Sequence, residues 1–177
     1  PRELDEYGYG RYEDVITGAE LERLVNPAGP TRGRLIRPSN GSTPRSIAFI
    51  QCVGSRSSRV GRPYCSVVCC NYAVKQALEI KSLHPDMDVA VFYVDLRAAG
   101  KGYEEFIKRV QEEYGVIYIR GRVSKIYKKG DKLIVKGIDT LTGKRVEVEA
   151  DMVVLATGII PSEGTKKLAE ILKIPVD

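Results

Sequence analysis

Two rhythms of apolar residues run along this chain. Between residues 46 and 119, short unbroken apolar runs alternate with stretches of helical period. Residues 46–51 (SIAFIQ) form a run of the kind buried on both faces of a parallel sheet. Residues 67–84 place Val67, Cys70, Val74, Ala77, Leu78 and Lys81 roughly along one side of a helix that Pro85 ends. Residues 88–94 (DVAVFYV) predict a second buried strand, and 102–113 an amphipathic helix with Phe106, Ile107 and Val110 inward. Gly115 ends that helix, and 116–119 reads as a third strand. Strands alternating with helices predict right-handed crossovers and a parallel sheet, hence the α/β class. The period then changes to two. Residues 121–127, 132–138 and 145–149 read as an antiparallel β-meander, with turns at KKGDK and LTGK. Residues 152–155 (MVVL) make one more buried strand, followed by ATGIIPS and a short helix over 163–172.

Residues 3–43 are mixed in character. Thr17-Gly18-Ala19-Glu20 fits a capping box, and Ala19, Leu21, Leu24 and Val25 give a short helix one apolar side. The following NPAGPTRGRLIRPSNGSTPR is rich in Pro, Gly, Ser and Asn and reads as an ordered arm or linker. The expected organisation is therefore an N-terminal connector (1–44), a central domain (45–157) and a C-terminal return segment (158–177). The chain starts at Pro1 without an initiating Met, which predicts a processed chain or, preferentially, an excised fragment. Its polar start shows no signal peptide. No internal repeat is present.

Charge adds little to this reading. Lys and Arg number 28 against 23 Asp and Glu, a net +5, but the two signs are interleaved, as in KRVQEEYGVIYIRGRVSK. That predicts a solvated basic surface rather than a nucleic-acid interface. No apolar run approaches the roughly 20 residues of a membrane helix, so no membrane is expected as a partner.

Cysteine is more informative than charge. All four cysteines lie between Cys52 and Cys70, in the pattern C-x12-C-x3-C-C, where a nucleotide-binding fold carries its phosphate loop. Such a loop needs glycines for a tight turn, close approach to pyrophosphate and helix packing. Here the segment after Gln51 reads CVGSRSSRVGRPYCSVVCC, without the G-x-G-x-x-G spacing. Asp95, where a ribose-binding acid could sit, then reads as a strand-end carboxylate. A local cysteine cluster with an adjacent pair predicts a reducing cytoplasm and metal or redox chemistry rather than structural disulfides. Thiolates bind zinc or iron–sulfur clusters. Zinc favours paired C-x2-4-C knuckles, which this spacing fits poorly. A four-iron cube accepts ligands from a strand end (Cys52), a loop (Cys65) and a helix start (Cys69, Cys70). A helix N-terminus favours thiolates and an anionic cluster, and Arg56, Arg59, Arg62 and Lys75 are candidate compensating charges. Cys69 and Cys70 point about 100° apart in a helix, so both reach one cluster only if the helix begins beside them. Other readings stay open: four reduced cysteines packed as small apolar residues, a Cys65–Cys69 redox pair, and a zinc-stabilised interaction module. His84, before Pro85, reads as structural.

The order βαβαβ, meander, β and ATG-x-x-P resembles the nicotinamide-binding domain of thioredoxin-reductase-like flavoenzymes, a Rossmann-like fold. Ala156-Thr157-Gly158 matches their return turn, whose small residues let backbone pass close to a strand or a flavin. The blocks IAFIQCVGSR, PYCSVVCCNYAVKQAL, VFYVDLRAAGKGYEEF and MVVLATGIIPS, in that order, closely resemble the A subunit of heterodisulfide reductase, the iron–sulfur flavoprotein of methanogens and other anaerobes. EYGYGRYEDVITGAELERL resembles that family's lead-in. The resemblance implies part of a larger oxidoreductase, with electron transfer and flavin-based electron bifurcation in the full complex. It matches Cys52, Cys65, Cys69 and Cys70 to cluster-associated cysteines, for a [4Fe-4S] centre that aerobic preparation can lose. It matches Ala156, Thr157 and Gly158 to the turn near FAD. No FAD-binding G-x-G-x-x-G and no ferredoxin run are present. FAD is thus expected only in the full-length protein, and the fragment alone is expected to be inactive. The implied partners are the FAD and ferredoxin-like domains of the same polypeptide and the other subunits of the complex. The alternative is an NAD(P)H-binding domain of a flavin-dependent oxidoreductase.

Overall fold

A computed structural model describes residues 6–175; the outermost parts of the predicted connector and return segment lie outside the described residues. In chain order its elements are β1 (Val15–Thr17), α1 (Gly18–Val25), β2 (Ser46–Val53), α2 (Cys69–Leu83), β3 (Asp88–Tyr93), α3 (Tyr103–Tyr114) and β4 (Ile117–Arg120). There follow β5 (Val123–Lys129), β6 (Lys132–Asp139), β7 (Lys144–Ala150), β8 (Met152–Thr157) and α4 (Glu163–Leu172). A five-stranded sheet has the order β1–β8–β2–β3–β4, parallel at every pairing. β5, β6 and β7 form the separate antiparallel meander. This is the expected α/β architecture, a Rossmann-like sheet with crossover helices and a β-meander.

The alternation of side chains across the parallel strands builds two cores. Ile47, Phe49, Val89, Val91, Met152 and Val154 face the helices, where Leu21, Ala73, Val74, Ala77, Ile80, Ile107 and Val110 meet them. Ala48, Ile50, Phe92, Val153 and Leu155 face the meander and its Val123, Ile126, Leu133 and Val135. Strands covered on both faces are why these segments read as continuous apolar runs rather than alternating ones.

β1 is absent from the sequence-based reading. Its three residues are too short to show a period, and their register comes from a distant strand, Val15 opposite Val153. The predicted capping box after it is present: Glu20 N donates to Thr17 Oγ1 at 3.3 Å, and Thr17 N donates to Glu20 Oε2 at 2.7 Å. Helix α2 starts two residues later than the apolar pattern indicates. Val67 has φ +65° and lies exposed in the loop, so the buried face of α2 runs through Cys69, Cys70, Ala73, Val74, Ala77 and Ile80 instead. Gly115 closes α3 in the left-handed conformation, φ +65°, and returns its amide to Val110 O. Among the described residues no helix is long and apolar enough to cross a membrane.

Candidate metal centre

β2 is the central strand of the sheet, with β3 and β4 on one side and β8 and β1 on the other. The carboxyl ends of the strands are the side on which open α/β sheets hold ligands. The structure puts the four cysteines at that place. Cys52 lies at the end of β2, in a register irregularity between Ile50 and Val53, with φ +61°. Cys65 lies in the loop, and Cys69 and Cys70 are the first two residues of α2. The condition for two adjacent cysteines to face one group, a helix that begins beside them, is met. The N-cap residue Val68 makes no side-chain capping bond, and the first turn of α2 holds no acid.

Three backbone segments converge on the sulfurs. Arg97 N donates to Cys70 Sγ at 3.4 Å, and Val67 N donates to Cys65 Sγ at 3.3 Å. Cys70 Sγ lies 3.8 Å from Asp95 O, and Cys69 Sγ 4.0 Å from Thr157 O in the return turn after β8. Burial pushes the Cys69 thiol up to about 11, and Cys52, Cys70 and Cys65 add to the rise. Burial likewise raises Cys52, against the pull of Arg56, and raises Cys70, against the Arg97 amide. A cation placed among such thiols favours their ionised forms. Among the described residues no three His, Cys, Asp or Glu side chains form the tight shell of a single ion. A four-iron cube spreads its thiolates over separate corners. The donor set, all sulfur with N–H groups aimed at two sulfurs, fits such a group.

The return turn is built onto the cysteine loop. Gly158 N donates to Val53 O at 2.7 Å, Ile159 N donates to Ser66 Oγ at 2.9 Å, and Tyr64 Oη donates to Ile159 O at 3.2 Å. A Cβ on Gly158 would stand 2.9 Å from Gly54 O and 3.0 Å from Ser55 Cβ, so only glycine allows this approach. Ala156 is fully buried beneath the turn and Thr157 half-buried. Asp95 is not free for a ribose: it pairs with Arg56 at 2.7 Å and Arg120 at 3.1 Å, which hold its carboxyl below the usual range. Sequence reasoning missed the Arg97 amide, the Thr157 carbonyl and Tyr72, whose half-buried phenol is pushed up by desolvation and then by Cys69. Backbone groups carry no residue signature, so no motif could have revealed the first two.

No family model matches the chain. It is 53% identical over 171 residues to the A subunit of the H(2):CoB-CoM heterodisulfide,ferredoxin reductase of Methanothermobacter thermautotrophicus, covering 96% of this chain and 26% of the relative. It is 52% identical over 170 residues to the iron-sulfur A subunit of the CoB--CoM heterodisulfide reductase of Methanocaldococcus jannaschii, covering 95% and 26%. The chain thus spans about a quarter of the length of the curated relatives it matches. Among solved structures, L-lysine 6-monooxygenase from Pseudomonas syringae superposes with a TM-score of 0.52 at 14% identity, over 85% of this chain and 41% of that one. That likeness is one of fold.

Proposed function

This chain is homologous, over nearly its whole length, to one segment of the A subunit of heterodisulfide reductase, and from that premise we propose that it is an electron-transfer domain of a heterodisulfide-reductase-like iron–sulfur flavoprotein. Cys52, Cys65, Cys69 and Cys70 are the residues that hold a [4Fe-4S] centre, in the place of a nicotinamide phosphate loop. The observation that carries this reading is their placement: Cys52 ends β2, Cys69 and Cys70 open α2, Cys65 lies in the loop between, and Cys52, Cys65 and Cys70 each push the Cys69 thiol up. The Methanocaldococcus relative, named for its iron–sulfur content, supports it.

A bound cluster supplies one-electron storage and release at low reorganisation. The protein's part is to hold and tune the site. The end of β2 and the start of α2 fix three of the four sulfurs on regular elements. The amides of Arg97 and Val67 donate to sulfur and stabilise thiolate character. Ala156, Thr157 and Gly158 join the site to the chain's return segment, the face expected to meet FAD in the larger polypeptide. The remaining domains of that polypeptide and the other subunits of the complex are the partners, in a reducing cytoplasm.

The nicotinamide alternative has less support. Its glycine loop is missing, and Asp95 is engaged by two arginines. Anaerobic reconstitution with iron and sulfide tests the main reading. About four irons and four sulfides per chain are expected, with loss of iron in Cys65→Ser and Cys69→Ser. Unchanged iron content in both variants overturns it.

A further inference from the structure

Four basic side chains near the cysteines are candidate compensating charges, and the structure separates them. Lys75 pairs with Glu22 at 2.5 Å and Glu79 at 3.0 Å on the flank of α2. Arg59 is exposed and pairs with Glu6. Arg62 reaches back to Gly54 O at 3.4 Å. Arg56 differs from all three. Its amide donates to Tyr64 O at 2.9 Å, and its carbonyl accepts from Arg122 Nη2 at 2.8 Å. Its backbone is left-handed, φ +54°, a conformation a non-glycine residue keeps only where its surroundings fix it. Its Nη2 donates to Asp95 Oδ2 at 2.7 Å, and Arg120 braces the other Asp95 oxygen at 3.1 Å.

The fork is therefore clamped at one tine. The other tine, Nη1, is buried and has no hydrogen-bond partner among the described residues. The Cys52 thiol adjoins the same guanidinium. A buried guanidinium N–H without an acceptor is costly. A strained backbone and an acid relay hold this cation beside Cys52, with one buried donor free of any partner among the described residues. A structural clasp between the cysteine loop and the end of β3 would need only the Asp95 bond and leaves Nη1 unexplained.

We propose that Arg56 Nη1 donates a charge-assisted hydrogen bond to sulfur at the Cys52 corner of the bound cluster and thereby raises its reduction potential, an inference that rests on the cluster reading above. Each added electron makes the cluster more negative. A fixed cation with an N–H aimed at sulfur stabilises the reduced state more than the oxidised one. Arg56 is thus a tuning residue, and Asp95 with Arg120 holds its plane.

The test is an anaerobic redox titration, followed by electron paramagnetic resonance, of the reconstituted 177-residue chain. Arg56→Gln should hold the wild-type iron and sulfide. At the wild-type midpoint its reduced-to-oxidised ratio should fall about tenfold, a downward shift of about 59 mV for a one-electron couple. Arg56→Lys keeps the charge but loses the fork, so a smaller shift in the same direction is expected. Arg59→Gln should leave the midpoint in place, because an exposed charge is screened. A fully loaded Arg56→Gln at the wild-type midpoint overturns the inference, as does an equal shift in Arg59→Gln. If Arg56→Gln holds no iron, Arg56→Lys decides: a downward shift supports the directed bond and a wild-type midpoint overturns it. A wild-type chain that takes up neither iron nor sulfide overturns the cluster reading, and this inference falls with it.

Discussion

Replacing Arg37 with methionine should cost this chain about 3 kcal/mol at neutral pH, the lower end of the range for breaking a buried ion pair. Arg37 lies in the leading segment and its side chain is only 5% exposed. It meets Asp14 at 2.8 Å, Asp131 at 2.5 Å and Asp151 at 3.6 Å. Asp131 is 65% exposed, so water replaces its partner easily and it contributes little. Asp14 and Asp151, 5% and 6% exposed, carry the cost. Both keep other partners: Ser39 N and Oγ on Asp14, at 3.0 and 2.7 Å, and Lys132 on Asp151, at 2.8 Å. That is why the lower end applies. The pH dependence follows from Asp151. Burial pushes its carboxyl up, but Lys132, the Arg45 amide and the charge of Arg37 outweigh burial and hold it below its usual range. A carboxyl with a depressed folded pKa contributes stability above its unfolded value, about 3.9, and loses it as pH falls through the folded value. Without Arg37 the pull weakens, the carboxyl protonates earlier, and the variant loses less on acidification. Urea unfolding of both proteins from pH 7 down to about 2.5 should therefore show a gap that holds above pH ~5 and narrows below pH ~4. A gap below ~1 kcal/mol at pH 7, or one that stays constant with pH, refutes the reasoning.

Gly158→Ala should lower stability by about 1–3 kcal/mol in urea unfolding and reduce iron uptake, because its Cβ meets Gly54 O and parts the return turn from the cysteine loop. Thr17→Ala removes the capping acceptor of α1 and should cost ~1 kcal/mol, with Thr17→Ser recovering most of it. Calorimetry with millimolar NADH or NADPH should give no binding heat, since Asp95 already serves two guanidinium groups; saturable heat would revive the nicotinamide alternative.

Most of the sheet and both long helices follow from period alone, because a strand buried on both faces and an amphipathic helix leave different marks. What period could not reveal are features fixed by distant partners. β1 exists through Val153 and Val154, far along the chain. Val67 and Val68 are apolar at helical spacing yet lie exposed before α2, since the chain turns left-handed at Val67. The cysteines were legible as a cluster from their spacing. Which of four nearby cations faces them was not, because that depends on Asp95, which the fold brings in from the end of β3.

The cysteine loop also differs from a phosphate loop in how it makes its turns. A phosphate loop uses glycine where the backbone must go left-handed. Here Gly54 and Gly61 turn left-handed, but so do the non-glycine residues Cys52, Arg56 and Val67, with φ of +61°, +54° and +65°. Each such residue stores on the order of 1–3 kcal/mol, so the loop persists only where other contacts offset it. The Ser57–Arg62 bridge, the Arg56–Tyr64 bond and the Ile159–Ser66 bond supply those contacts without the sulfurs. Glycine at residue 52 or 56 would relieve strain but delete the thiol or the guanidinium. Non-glycine residues at these two turns are thus expected where the side chain matters more than the turn. Val67 is different: its side chain is exposed, and its left-handed turn aims its own amide at Cys65 Sγ.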